Sequence, residues 1–175
     1  MALLCPDCGA ENIDGVDTCE SCGQPLTMLN KPHRPPSPVG EGMLRDPIEK
    51  LDPKQPIAVS CETPLQDTLQ IMLEKKIGAI LVTDQEKLVG IFSERDAVNR
   101  AGVEFSALRS EPIATFMTPS PGTLEVNNKI IFAVRKMAIG GYRHVPIVEG
   151  DRPVGVISIR DILRYTEEQI ESVDS

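Results

Sequence analysis

The residues best suited to chemistry are four cysteines near the amino terminus and two Ser-x-x-Asp tetrapeptides that close two similar stretches of chain. Cys5 and Cys8 form one Cys-x-x-Cys pair, and Cys19 and Cys22 form another. Zinc takes four thiolates in a tetrahedron, and two short knuckles deliver two sulfurs each to one point. Gly9 and Gly23 follow the second cysteine of each pair, where a knuckle needs a residue that tolerates positive φ. The spacing predicts a closed Zn²⁺ site. Four protein ligands leave no open position for catalysis. The tetrapeptides Ser93-Glu94-Arg95-Asp96 and Ser158-Ile159-Arg160-Asp161 have two readings. Serine at a helix N-cap can accept from the amide three residues on while the carboxylate there reaches back, which is a capping box in Asp form. The same helix start presents unpaired N–H groups and a positive dipole end to an anion. Both readings stand for either tetrapeptide taken alone.

A segment of about 25 residues buries too little apolar surface to fold unaided, and a structural zinc, on the order of 10–16 kcal/mol, supplies what is missing. Residues 3–25 resemble the zinc-ribbon family, which implies a small domain over 1–28; iron in a rubredoxin-like site is the lesser alternative. Asp7, Glu11, Asp14, Asp17 and Glu20 lie in this segment, and residues 1–30 contain no Lys or Arg. Phosphate would be repelled. A protein contact or a structural role is the expectation. Residues 29–45 read as a Pro-rich linker, with Lys31-Pro32-His33-Arg34-Pro35-Pro36-Ser37-Pro38 an extended spacer and His33 a solvated histidine within it.

Composition bounds the rest. Hydrophobic residues make up 41% of the 175 residues and aromatics only 3%, so the core must be aliphatic. A net charge of −8 and a pI near 4.8 argue against a nucleic-acid or anionic-membrane partner. No apolar run approaches the roughly 20 residues that span a bilayer, and Met1-Ala2-Leu3-Leu4 is too short for a signal peptide. A soluble, cytoplasmic protein is expected, where clustered cysteines point to metal rather than disulfides.

The elements that position the tetrapeptides come from a duplication. Gly90-Ile91-Phe92-Ser93-Glu94-Arg95-Asp96 returns as Gly155-Val156-Ile157-Ser158-Ile159-Arg160-Asp161, an offset of 65 residues. The same offset relates Pro47 to Pro112, Ile48 to Ile113, Met72 to Met137 and Val89 to Val154. Each copy reads as a leader (Asp46-Pro47-Ile48, Glu111-Pro112-Ile113), a short β run (Ile57–Val59, Thr123–Val126), a helix, two strands around a turn, and a final helix opened by Ser93 or Ser158. Thr63 with Pro64, and Asn128, are the expected caps of the first helices. Leu65, Leu69 and Met72 give one apolar face, and Ile130, Val134 and Met137 the other. The turns are Asp84–Lys87 and Glu149–Arg152, and Gly140-Gly141 ends the second copy's first helix. Cys61 reads as a small packed residue. The fold class is α/β (α+β): two β-α-β-β-α repeats over 46–104 and 111–168 forming a pseudo-two-fold pair. A tail over 169–175 extends the last helix and then frays.

This order, closed twice by Gly-x-x-Ser-x-x-Asp, resembles the CBS domain, and the tandem is similar to the CBS-domain pair, or Bateman module, over residues 46–166. The resemblance implies adenine-nucleotide clefts in which Asp96 and Asp161 hold ribose hydroxyls, helped by Ser93 and Ser158. Each cleft would be completed by the other copy, Tyr142, Arg143 and His144 opposite Asp96, and Ile77, Gly78 and Ala79 opposite Asp161. Ala58 and Thr123 would line the adenine pockets. Arg143 suits phosphate geometry, so the Asp96 cleft is expected to prefer AMP, ADP or ATP, and the Asp161 cleft to be weak, empty or suited to a less charged adenosine. The implied function is a non-enzymatic regulator: a homodimer that passes nucleotide state to an unidentified protein partner. The alternative is a zinc-ribbon adaptor in transcription or protein assembly, whose CBS pair serves mainly for dimerisation. No nucleophile with a base beside it and no phosphate-cradling glycine loop speaks for an enzyme.

Overall fold

A fixed offset between copies predicts that strand partners repeat with it. Val59 pairs in parallel with Val82, and 65 residues later Leu124 pairs in parallel with Ile147. The computed structural model describes residues 2–5, 9–13, 16–23, 26 and 37–173; Cys8, His33 and residues 31–36 lie outside these. In chain order the elements are β1 (Ala2–Leu4), β2 (Glu11–Ile13), α1 (Pro38–Arg45), β3 (Ala58–Ser60), α2 (Leu65–Lys75), β4 (Ala79–Asp84), β5 (Lys87–Ser93), α3 (Glu94–Asp96), α4 (Phe105–Leu108), β6 (Thr118–Pro119), α5 (Ile130–Gly140), β7 (His144–Glu149), β8 (Arg152–Ser158) and α6 (Ile159–Val173).

These elements form two compact units that cut across the repeats. The helical unit comprises the described part of Met1–Asp52 with Asn127–Arg143 and Ser158–Ser175, and the sheet unit comprises Pro53–Val126 with His144–Ile157. In the sheet unit, β3 runs parallel to β4, β4 antiparallel to β5, and β5 antiparallel to β6, while β7 and β8 form a hairpin. Its core gathers Val59, Leu65, Met72, Ile80, Val82, Phe92, Ala101, Ile113 and Phe116. Aliphatic side chains fill most of it, as so few aromatics require. In the helical unit, α1, α5, α6 and a 3₁₀ turn over Ile48–Leu51 pack on one another.

The helix starts differ from expectation in one informative way. α2 and α5 begin with Pro64 and Lys129 at the cap, and neither cap makes a side-chain hydrogen bond. The caps thus stand one residue later than Thr63 and Asn128. Within the sheet unit Leu65 N–H donates to Glu111 O at 2.9 Å, and Ile113 N–H to Thr63 O at 2.8 Å. Within the helical unit Ile130 N–H donates to Asp46 O at 3.0 Å, and Ile48 N–H to Asn128 O at 2.8 Å. Each leader thus satisfies the first amide of the other repeat's helix, a donor that a helix start otherwise leaves unpaired.

Three further differences stand out. Residues 38–45, read as linker, form α1, with Pro38 at its start and Ser37 Oγ accepting from Gly40 N–H at 3.2 Å. A Cβ on Gly42 would lie 2.5 Å from Tyr165 Oη, so only glycine lets α1 settle on α6. β6 was not anticipated; it adds residues of the second repeat to the sheet of the first. Finally, the closing helix of the first repeat is broken. α3 passes into a π-turn over Ala97–Ala101, then a 3₁₀ turn over Gly102–Glu104. Gly102, at φ 38° and ψ −127°, holds a conformation other residues avoid. The second copy has Glu167 there, and α6 runs on unbroken to Val173.

Candidate functional site

The glycines that follow the two cysteine pairs take the positive φ expected of them. Gly9 and Gly23 have φ of 73° and 72°, and their amides donate to Cys5 O and Cys19 O, each at 2.8 Å. β1 and β2 pair antiparallel, and Asn12 on β2 bridges the segment: its Nδ2 donates to Ala10 O at 2.8 Å while its Oδ1 accepts from Glu20 N–H at 3.0 Å. Cys5 and Cys19 are buried with Leu26, and Cys22 is exposed. The sulfurs of Cys5, Cys19 and Cys22 all lie within 4.8 Å of one another, the Cys5–Cys22 pair at 3.6 Å. Such a set of soft donors could hold a thiophilic metal.

At the first tetrapeptide Ser93 ends β5 in extended conformation and caps α3. Asp96 Oδ2 accepts from Ser93 N–H at 2.9 Å and from Ser93 Oγ at 2.6 Å, while Asp96 N–H donates to Ser93 Oγ at 3.4 Å. The capping box is present. Asp96 Oδ1 accepts from Thr118 Oγ1 at 3.2 Å and lies 3.5 Å from Arg100 Nη2. Neither Thr118 nor Arg100 was among the expected site residues. Arg100 had a local signal, four residues after Asp96 on one helical face; Thr118 had none.

The second tetrapeptide repeats the inner half of this arrangement. Asp161 Oδ2 accepts from Ser158 N–H and Oγ, both at 2.7 Å. Its Oδ1 differs. Arg164 Nη2 is 3.2 Å away but off the hydrogen-bond direction, giving its proton to Leu51 O at 3.0 Å instead. Asp161 is 2% exposed, and Oδ1 is a buried oxygen with no hydrogen bond among the described residues.

The remaining expected residues divide between the units. In the sheet unit, Ala79 sits opposite Ser93 in the β4–β5 register and Ala58 pairs with Leu81. Gly78 O accepts from Glu94 N–H at 3.1 Å. A Cβ on Gly78 would lie 3.1 Å from His144 Cε1 and 3.5 Å from Glu94 Oε2, so His144 and Glu94 converge over this glycine. Thr123 is half-buried beside Leu124. In the helical unit, the Tyr142 ring covers Gly140, leaving no room there for a Cβ, and Arg143 is exposed with its carbonyl accepting from Ile159 N–H at 2.9 Å. Gly141, at φ 63°, ends α5 as expected.

The family model of the CBS domain matches residues 48–102 and 113–168, one match for each repeat. The chain belongs to the CBS domain family. It is 27% identical over 103 residues to the mitochondrial CBS domain-containing protein CBSX3 of Arabidopsis thaliana, a match covering 56% of this chain and 50% of that protein. The chain spans about half the length of that relative, and less of others. Among solved CBS structures, the CBS-domain containing protein ATU1752 of Agrobacterium tumefaciens superposes with TM-score 0.61 at 27% identity, over 67% of this chain and 94% of that one. CBSX2 in complex with AMP gives 0.60 at 22% identity, over 71% and 98%. The CBS pair of MJ0100 with 5′-methylthioadenosine and S-adenosyl-L-methionine gives 0.62 at 22%, again over 71% and 98%. These last two likenesses are of fold alone. CBS-domain proteins act typically as regulators. Among the described residues no helix is long and apolar enough to cross a membrane.

Proposed function

We propose that this protein is a non-catalytic sensor that binds an adenine nucleotide of the AMP, ADP or ATP type through Asp96 and Asp161 and passes its occupancy to a protein partner. The carrying observation is that both Ser-x-x-Asp motifs hold their carboxylate the same way, with Oδ2 taken twice by the motif's own serine. A carboxylate immobilised by its own helix start is prepared for a ribose diol. Charge-assisted hydrogen bonds to the sugar are worth about 1.5–3 kcal/mol. The AMP, methylthioadenosine and S-adenosylmethionine found on the same fold support this ligand class. Small residues at Ala58, Gly78, Ala79 and Thr123 suit an adenine ring. Arg143 offers a fork of donors for phosphate, with Tyr142 and His144 flanking it in sequence.

The amino-terminal segment enters this reading as a structural zinc ribbon, with Cys5, Cys8, Cys19 and Cys22 as ligands. Zn²⁺ bound there would order a segment too small to fold alone. A homodimer and a cytoplasmic setting complete the proposal. Calorimetry of the full chain with AMP, ADP and ATP tests it: Asp96→Asn is expected to weaken AMP at least about tenfold, and Arg143→Ala to weaken ATP more than adenosine. Binding unchanged by either substitution overturns the site assignment. Metal analysis should find one zinc per chain, lost in Cys19→Ser; protein folded in this segment without metal would refute the ribbon.

A further inference from the structure

We infer that Arg100 and Thr118 are positioning residues for the Asp96 carboxylate, and that they carry ligand occupancy at Asp96 to the segment 116–119 that begins the second repeat's pairing. This inference rests on the ligand reading above. Arg100 spends its donors on three groups of one segment: Nη1 donates to Phe116 O at 2.9 Å and to Met117 O, and Nη2 donates to Thr118 Oγ1 at 3.2 Å. The same Nη2 stands 3.5 Å from Asp96 Oδ1, and Thr118 passes its own hydroxyl proton to that oxygen at 3.2 Å. The chain of contacts runs from Asp96 through Thr118 and Arg100 to three successive residues.

A carboxylate offers about four lone-pair directions. Ser93 takes two and Thr118 a third, and the guanidinium at 3.5 Å leaves the fourth short of a full hydrogen bond. Asp96 is 13% exposed on its side chain, enough for a hydroxyl to reach that last direction. Three fixed bonds hold the carboxylate in one orientation, which lowers the ordering cost of binding. A hydroxyl arriving on Oδ1 must also share that oxygen with Thr118, the first residue of β6. β6 is a short edge strand of two residues, held by its pairing with Gly90 and Ile91 and by Ser120 N–H donating to Val89 O at 3.0 Å. An element this small responds to the loss or gain of one hydrogen bond.

The second repeat cannot do the same. The residues 65 positions away from Arg100 and Thr118 are Tyr165 and Pro53. Proline has no hydroxyl, and Tyr165 Oη donates to Asp46. The coupling therefore belongs to the first motif alone.

Calorimetry with AMP on the full chain, combined with amide exchange over residues 113–120, tests the inference. Thr118→Val is expected to weaken AMP about fivefold and Arg100→Gln about tenfold, with Thr118→Ser restoring wild-type affinity. AMP should change exchange over 113–120 in the wild-type protein and leave it unchanged in both weakened variants. A merely structural role would lower the melting temperature without altering AMP affinity or its exchange signature. If Asp96→Asn loses AMP while Thr118→Val and Arg100→Gln bind like wild type, this inference falls and the ligand reading stands. If the wild-type protein takes up no AMP at millimolar supply, both fall.

Discussion

Positions 100 and 165 are equivalent in the two repeats, one turn past the motif aspartate, and they solve one problem with opposite chemistry. Tyr165 on α6 donates to Asp46, in the leader of the first repeat, at 2.9 Å. Arg100 in the π-turn donates to Phe116, Met117 and Thr118, which follow the leader of the second. Each closing helix thus grips the other repeat's entry segment. The tyrosine meets a buried acid: Asp46 is 3% exposed and also accepts from Lys50 Nζ at 2.9 Å and Arg45 Nε at 3.1 Å. Its counterpart Glu111 is exposed and its segment is gripped through backbone carbonyls instead. A buried acid with three donors makes a static joint. Carbonyls held by one half-exposed arginine make a joint that a competitor for Asp96 can disturb. The duplicated fold is therefore asymmetric where regulation would need it, with a firm joint in the helical unit and a yielding one in the sheet unit.

The largest test of this contrast strikes equivalent core positions of the two repeats. Phe92 and Ile157 are equivalent and fully buried, so Phe92→Ala should cost about 3–5 kcal/mol and Ile157→Ala about 2–5 by denaturant unfolding. Similar losses in one cooperative transition would show that the copies fold together; two separate transitions would break the comparison by showing that the copies unfold independently.

The firm joint predicts a pH dependence. The hydrogen bond from Lys50, with those from Tyr165 and Arg45, holds the Asp46 carboxyl down at about 2 against an ordinary 3.8, although burial acts the other way. Burial, reinforced by the hydrogen bond to Asp46, pushes the Tyr165 phenol up to about 12 from 10.0. The Asp46 contribution, about 2 kcal/mol, is complete above pH 3.8 and lost as pH falls towards 2. The Tyr165 contribution is complete below pH 10 and lost as pH rises towards 12. Tyr165→Phe should cost about 1–3 kcal/mol at neutral pH and remove the alkaline loss. An unchanged acid and alkaline profile in that variant would show that the joint is not the one described.

The smallest expected effect lies in the hairpin turns. Gln85 and Glu86 take φ of 46° and 68° without glycine, whereas the second copy places Gly150 at 61°. Gln85→Gly, which copies Gly150 into the equivalent position, should stabilise the β4–β5 hairpin by up to about 1 kcal/mol, because glycine reaches this region at no steric cost. A neutral or destabilising result would mean that contacts of the Gln85 side chain outweigh the backbone gain.

The amino-acid sequence by itself determined whatever is local or periodic. The 65-residue offset places Val59 against Val82 and Leu124 against Ile147 in one register. Ser93 with Asp96 announces a capping box because both partners lie within one helical turn. Gly9 and Gly23 announce positive φ, the one backbone conformation glycine alone takes cheaply. Tertiary structure alone decided which distant groups meet. Thr63 and Asn128 look like side-chain caps, yet the amides they would serve are met by Glu111 and Asp46, carbonyls far along the chain. Residues 38–45 read as linker, yet they become α1 because Gly42 admits Tyr165. Thr118 has no local pattern that marks it, yet it completes the Asp96 shell from 22 residues away. Helix and turn signals are written in neighbouring residues, whereas hydrogen-bond partners across the chain depend on packing that brings them within about 3 Å.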